Sequence, residues 1–179
     1  MLNNFEKKFS VIIPTIKENK YLFKNLDYLN NQTFKNFEVI LISENNLEIN
    51  FKEFDFEIVL LKEQIFTPGE KRNFAAKNSS GEFLAFIDDD AYPDKNWLFV
   101  ANEKIKKMEM RNFILGGPGV LPKDDSLISK IIDISFRSFL YGNARLRYES
   151  KDRKNIYLDD WPSVNMIIEK NFFLNLKGF

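Results

Sequence analysis

Residues Glu82 to Asp90 read Glu-Phe-Leu-Ala-Phe-Ile-Asp-Asp-Asp, so a short apolar run stops at three consecutive carboxylates. Phe83 to Ile87 is mostly bulky, as expected of a strand buried on both faces in an open α/β sheet. Strands of that kind present ligands just beyond their carboxyl ends. Adjacent acids repel one another there, and their charge has to be offset. A hard divalent cation such as Mg²⁺, Mn²⁺ or Ca²⁺ takes oxygen ligands and would offset it. The alternative is a solvated acidic turn that caps a helix expected after Pro93, where negative charge suits the helix dipole.

Composition narrows the chemistry. The chain has no cysteine, which excludes disulfides, thiolate metal sites and cysteine nucleophiles. It has no histidine either, which removes the usual general base, the commonest zinc ligand and any Ser-His triad. Catalysis at neutral pH must then rest on carboxylates, Lys, Tyr or a metal. Lys and Arg number 26 against 26 Asp and Glu, and this balance argues against a general nucleic-acid surface. A length of 179 residues with 44% hydrophobic residues suits a single domain with a sizeable core. No apolar run approaches the ~20 residues that span a bilayer. The Met1–Lys8 segment lacks the apolar stretch of a secretory signal, so the cytoplasm is the expected location.

Strand and helix signals alternate along the chain. Phe9 to Ile13 reads as a buried strand stopped by Pro14, Phe37 to Ile42 as a second and Glu57 to Leu61 as a third. Tyr21, Leu22, Asn25, Leu26 and Leu29 fall at helical spacing. A helix from about Glu70 to Lys77 precedes the Gly81 break, and another is expected to follow Pro93 and run to about Met108. Phe113 to Leu121 is extended but interrupted by Gly116, Gly117, Pro118 and Gly119. Leu127 to Ser135 has helical spacing with Ser126 as its N-cap, and Val164 to Ile168 is a late strand. The pattern predicts an α/β fold, a Rossmann-like, mostly parallel sheet flanked by helices. Pro14-Thr15, Ser43-Glu44 and Asp88-Asp89-Asp90 then share one edge, the layout of a nucleotide site at a switch point. Neither the dinucleotide fingerprint nor the Walker A pattern occurs, so a bound diphosphate is better neutralised by a metal than by backbone amides.

Five segments in this order resemble the family 2 glycosyltransferases, which have the GT-A fold and use nucleotide-diphosphate sugars. They are Phe9–Thr15, Gln32-Thr33-Phe34 with Phe37–Ile42, Pro68–Asn73 with Ala75-Ala76, Asp88-Asp89-Asp90, and Pro162–Met166 with Lys177-Gly178-Phe179. The likeness runs from Phe9 to Phe179 and implies one nucleotide-sugar-binding glycosyltransferase domain over 1–179. It implies that Pro14 and Thr15 line the nucleotide, that Arg72 binds near base and phosphates, and that Asp89 contacts ribose or metal. Glu44 stands where the family usually has Asp and would accept the N3–H of uracil or thymine. Asp90 would ligate Mn²⁺ or Mg²⁺ directly, with Asp88 orienting the group from the strand end as a second metal residue. Gly117, Ser163 and Asn165 fall on the sugar and acceptor side.

Each of these residues also has a plain structural reading: Thr15 as a turn hydroxyl, Glu44 as a loop acid, Arg72 as a surface arginine, Asn73 as a packing or capping residue, and Gly116, Gly117 and Gly119 as a bulge or turn. Family 2 enzymes invert the anomeric centre and need a general base, which the family draws from an acidic motif beyond the stretch matched by Gly178-Phe179. The base is therefore expected beyond Phe179, with the C-terminal part of the domain missing, and Asp159 and Asp160 are the nearby carboxylates. A nucleotide-sugar binding module without catalysis is the rival that the missing base favours. A nucleotidyltransferase would want a glycine-rich basic loop after the first strand, and a haloacid-dehalogenase-type phosphatase a nucleophilic Asp there; Pro14-Thr15-Ile16-Lys17-Glu18 supplies neither. Arg145, Arg147, Lys151, Arg153 and Lys154 suit an anionic acceptor such as a lipid-linked phosphate-sugar, or else form a solvated loop with Glu149 and Asp152. The amphipathic Leu127–Tyr141 segment would support a peripheral contact with the inner face of the cytoplasmic membrane.

Overall fold

The computed structural model describes residues 6–65, 67–108, 112–121, 126–138, 145, 147–148 and 161–179. In chain order its elements are β1 (Lys7–Pro14), α1 (Lys20–Asn30), β2 (Phe37–Ser43), a short 3-10 turn (Phe51–Glu53), β3 (Glu57–Lys62), α2 (Pro68–Lys77), β4 (Gly81–Phe86), α3 (Trp97–Lys107), β5 (Ile114–Gly116), α4 (Leu127–Arg137), β6 (Met166–Glu169) and α5 (Lys170–Asn175). Residues group into two compact units, Met1–Leu115 with Ile167–Phe179, and Gly116–Met166.

Among the described residues the strands form one sheet in the order β3-β2-β1-β4-β6-β5. β1 pairs in parallel with both β2 and β4, and β2 in parallel with β3. The winding direction reverses between β1 and β4, so the crevice beyond their carboxyl ends is the place where an open α/β sheet binds ligands. Register puts Phe9 opposite both Phe37 and Phe83, and Val11 opposite both Val39 and Ala85. These alternate residues share one face and pack with Leu22, Leu26 and Leu29 of α1 and Leu98 and Ala101 of α3. On the other face α2 covers β1 and β2, while α5 lies against β4, with Phe86 and Phe173 ring centres 5.1 Å apart. Burial on both faces explains why the strands are continuous apolar runs.

Helix starts follow local chemistry. Asn19 caps α1, its Oδ1 accepting from Tyr21 N at 2.8 Å and Leu22 N at 3.0 Å. Thr67 caps α2 by accepting from Glu70 N at 3.3 Å, and Pro68 takes the first helical position. Ser126 caps α4 as expected, accepting from Ser129 N at 3.1 Å. α3 follows Pro93 as expected, but it begins only at Trp97. Residues 91–96 are instead held as a loop by the Gln32-Thr33 pair. Gln32 donates to Asp94 O at 2.7 Å and accepts from Leu98 N at 3.2 Å, while Thr33 N donates to Lys95 O at 2.9 Å. Asp88 to Asp90 therefore lie too far upstream to cap this helix.

The opposite end of the sheet is tied by a buried carboxylate. Glu38 Oε1 accepts from Ser10 Oγ at 2.5 Å and Ser80 N at 2.6 Å, and Ser10 Oγ accepts from Gly81 N at 2.8 Å. A Cβ at Gly81 would stand 2.5 Å from both Ser10 N and Ser10 Oγ, so only glycine fits. Gly81→Ala should cost about 1–3 kcal/mol by overpacking. Gly69→Ala, whose Cβ would meet only Phe179 Cβ at 3.4 Å inside a helix, should be neutral or stabilising. Urea midpoints of the two variants check the contrast.

Candidate functional site

Three strand ends meet at the switch point, each delivering polar groups. β1 ends at Pro14, and Thr15 is buried with its N–H donated to Ile42 O at 2.9 Å. Thr15 Oγ1 lies 2.7 Å from Asp89 Oδ2 and 3.1 Å from Lys17 O. The hydroxyl is thus both a turn group and a tether for Asp89. Asn19 Nδ2 lies 3.5 Å from the same Asp89 oxygen. Asn25 is fully buried in the apolar stripe of α1, and its amide donates to Asp88 O at 2.9 Å and Ala91 O at 2.5 Å. It thereby pins the backbone of the acidic turn on both sides of Asp89 and Asp90.

Two consecutive cations of α2 approach this edge from behind. Arg72 is buried, with its side chain 7% exposed, and its Nη2 forms an ion pair with Asp88 Oδ1, whose side chain is 40% exposed. The Phe179 ring centre lies 5.8 Å from the Arg72 guanidinium carbon. Burial pushes the Asp88 carboxyl above the ordinary carboxylate range; Arg72 opposes that shift and Asp90 adds to it. Lys71, 3% exposed, donates from Nζ to Glu44 Oε2 and to Thr15 O, both at 2.8 Å. Its hydrogen bond holds the Glu44 carboxyl below the ordinary range. One connected path therefore runs from Glu44 through Lys71 and Thr15 to Asp89.

Of the residues singled out from sequence, Pro14, Thr15, Glu44, Arg72, Asp88, Asp89 and Asp90 all belong to this edge of one compact unit. Arg72 is not a surface arginine. Asn73, beside it, is structural: its amide donates to Phe179 O at 3.1 Å and accepts from Phe179 N at 3.0 Å. Asp90 is exposed at the tip of the turn. A set of exposed or half-exposed carboxylate oxygens with no nitrogen or sulfur donor fits a hard divalent cation. Mg²⁺-type ions use one or two protein carboxylates and complete their shell with phosphate oxygens and water. Among the described residues no group of three or more His, Cys, Asp or Glu is placed to hold a metal ion.

The second unit holds Gly117, Ser163 and Asn165. A Cβ at Gly116 would stand 2.4 Å from the Trp161 ring, and one at Gly117 2.5 Å from Asn165 Nδ2. These glycines admit neighbouring side chains closely. Asn165 O accepts from Trp161 Nε1 at 3.2 Å, and Ser163 lies in the turn before β6. Asp159, Asp160, Lys151, Arg153 and Lys154 lie outside the described residues. In α4, Leu127, Ile128, Ile131, Ile132 and Ile134 are exposed, whereas Asp133 and Arg137 pair with each other at 2.9 Å. No helix among the described residues is long and apolar enough to cross a membrane.

Sequence reading missed Lys71, Asn19 and Asn25. For Asn25 a signal existed, since it is a polar residue within the apolar i, i+3, i+4 stripe of α1. For Lys71 there was none beyond adjacency to Arg72.

Residues 10–155 match the sequence model of "Glycosyl transferase family 2". The poly(ribitol-phosphate) beta-N-acetylglucosaminyltransferase TarS of Staphylococcus aureus is 35% identical over 100 residues, covering 51% of this chain and 18% of that protein. The structure of S. aureus TarS 1–349 in complex with UDP-GlcNAc superposes with a TM-score of 0.62 at 21% identity, covering 95% of this chain and 47% of that one. The mannosyltransferase PcManGT of Pyrobaculum calidifontis, in complex with GDP-Man and Mn²⁺, gives a TM-score of 0.60 at 15% identity, covering 99% of this chain and 48% of that one. The chain spans 16% to 23% of the length of the first curated relatives it matches.

Glu44 generates a pH prediction. Its folded carboxyl lies below the ordinary value, so its contribution to stability is present above that value and lost as pH falls through the lowered one. The stability difference between the wild type and Glu44→Gln should shrink on acidification from about pH 6 to about pH 3. Urea unfolding at both pH values measures it.

Proposed function

The chain belongs to glycosyl transferase family 2 and has the GT-A fold, and on that premise we propose that it transfers a sugar from a uridine or thymidine diphosphate sugar to a glycan or lipid-linked acceptor with inversion at the anomeric carbon. The observation that carries this reading is the gathering of Glu44, Asp88, Asp89 and Asp90 at the β1/β4 switch point, backed by Lys71 and Arg72. β1 runs into Pro14-Thr15 with no glycine-rich phosphate loop, so a diphosphate here needs a cation.

In this reading Glu44 accepts the N3–H of the base, and Asp89, held by Thr15, faces the ribose. Asp90, with Asp88, would hold Mn²⁺ or Mg²⁺, which when bound would supply stabilisation of the negative charge that develops on the diphosphate as the sugar leaves. Arg72 pairs with Asp88 and opposes the upward shift that burial imposes on its carboxyl. The acceptor hydroxyl oxygen bonds to the anomeric carbon, the bond from that carbon to the diphosphate oxygen breaks, and the hydroxyl proton passes to a carboxylate base. Asp159 and Asp160 are the residues of this chain to test for that last role. A positioned base is worth ~10²–10⁴ in rate. UDP-GlcNAc is bound by the TarS neighbour, and GDP-Man by the mannosyltransferase neighbour. The same fold thus accepts either kind of base, and selection falls to side chains such as Glu44.

The exposed aliphatic face of α4 supports a peripheral membrane contact beside a lipid-linked acceptor. Sedimentation with anionic liposomes at low salt should carry the protein down, and Ile131→Asp with Ile134→Asp should keep it in the supernatant. Equal recovery of wild type and variant would count against the contact.

Calorimetry tests the main reading. UDP should bind with Mn²⁺ present and lose at least ~10-fold in affinity in EDTA, since each tenfold is only about 1.4 kcal/mol. Asp90→Ala should abolish the difference between the two conditions. Equal UDP affinity in Mn²⁺ and EDTA for the wild type would overturn the metal-assisted mechanism.

A further inference from the structure

Lys71 sits where stability alone gives no reason for a lysine. Its side chain is 3% exposed, so its ammonium has lost most of its hydration. It also lies near the N-terminal end of α2, where the positive pole of the helix dipole opposes a cation. Among the described residues Glu44 Oε2 and Thr15 O receive its hydrogen bonds, each at 2.8 Å. A buried ion pair of this kind is often no more stabilising than apolar groups of the same volume. What the pair does supply is orientation.

The backbone around Glu44 is already held. Ser43 Oγ donates to Ile16 O at 2.8 Å, Asn45 Nδ2 to the same oxygen at 2.7 Å, and Gln64 Nε2 to Glu44 O at 3.3 Å. The remaining freedom at this position is in the side-chain torsions. Glutamate has one more of these than the aspartate expected there, so an untethered carboxylate would sample several directions. Lys71 removes that freedom, and through Thr15 O it ties the carboxylate to the residue that also holds Asp89.

We propose that Lys71 is a positioning residue for nucleobase selection, aiming the Glu44 carboxylate so that it accepts from the N3–H of uracil or thymine and repels the N3 lone pair of cytosine. The inference rests on the nucleotide-site reading above. An aimed carboxylate discriminates because cytosine would leave two acceptors facing each other, whereas a loose one swings away from the mismatch.

The test measures UDP, CDP and pyrophosphate affinities in Mn²⁺ for the full chain and its Lys71→Met and Lys71→Arg variants. The wild type should prefer UDP to CDP by ~10-fold or more, the scale of one charged hydrogen bond lost. Lys71→Met should bring the UDP-to-CDP ratio close to one, with UDP affinity falling by more than pyrophosphate affinity. Lys71→Arg, which keeps the cation, should restore most of the preference. Retention of the wild-type ratio in Lys71→Met would overturn the inference. If Lys71→Met fails to fold, Lys71→Gln, which keeps a donor for Thr15 O and drops the charge, is judged by the same ratio; failure of both to fold would make the pair structural and overturn it too. A wild type that binds pyrophosphate with Mn²⁺ but shows no UDP preference overturns this inference and the Glu44 base contact, leaving the transferase reading in place, while one that binds neither ligand overturns the transferase reading as well.

Discussion

Carboxylates crowd the carboxyl edge of the sheet, and the site depends on how their repulsion is managed. Asp88, Asp89 and Asp90 follow one another directly, and Glu44 ends the neighbouring stretch after β2. Two cations and three neutral groups hold this charge in place. Arg72 pairs with Asp88, Lys71 with Glu44, Thr15 and Asn19 approach Asp89, and Asn25 grips the turn backbone. Asp90 alone stands exposed at the tip. The arrangement steadies the inner acids and leaves the outermost one open to solvent.

The rigidity behind this edge comes from packing on both faces of the sheet. Residues such as Val11, Val39 and Ala85 lock one face to α1 and α3, and Phe86 and Phe173 lock the other to α5. Strand ends fixed in this way hold their polar groups at constant separations. α2 occupies the face behind β1 and β2, so adjacent residues on one helical turn reach two different strand ends. Lys71 and Arg72 project about 100° apart around the helix axis, and this divergence sends one to Glu44 and the other to Asp88.

Much of this was legible in the residues themselves. Apolar runs stopped by Pro14, by Ser43-Glu44 and by the acids reported the strands and the shared edge, because the period and length of a buried strand are local properties. The beginning of α3 was not legible. Pro93 is a good first-turn residue, yet Gln32 and Thr33, more than sixty positions away, hold residues 94–96 as a loop. Long-range hydrogen bonds of that kind leave no mark in the local pattern. Asn73 shows the same limit, since its partner is the backbone of Phe179.

By itself the sequence determined the class of fold, the edge at which the polar strand ends gather and the exclusion of thiol and imidazole chemistry, because these follow from composition and short-range periodicity. Only the tertiary structure decided which charges face each other. Arg72 is buried against Asp88, and Lys71 is turned into a tether for Glu44 and Thr15. Those pairings depend on helix rotation and on the register of parallel strands, which set where a side chain ends in space. Electrostatic interaction falls off with that distance, and separation along the chain does not report it.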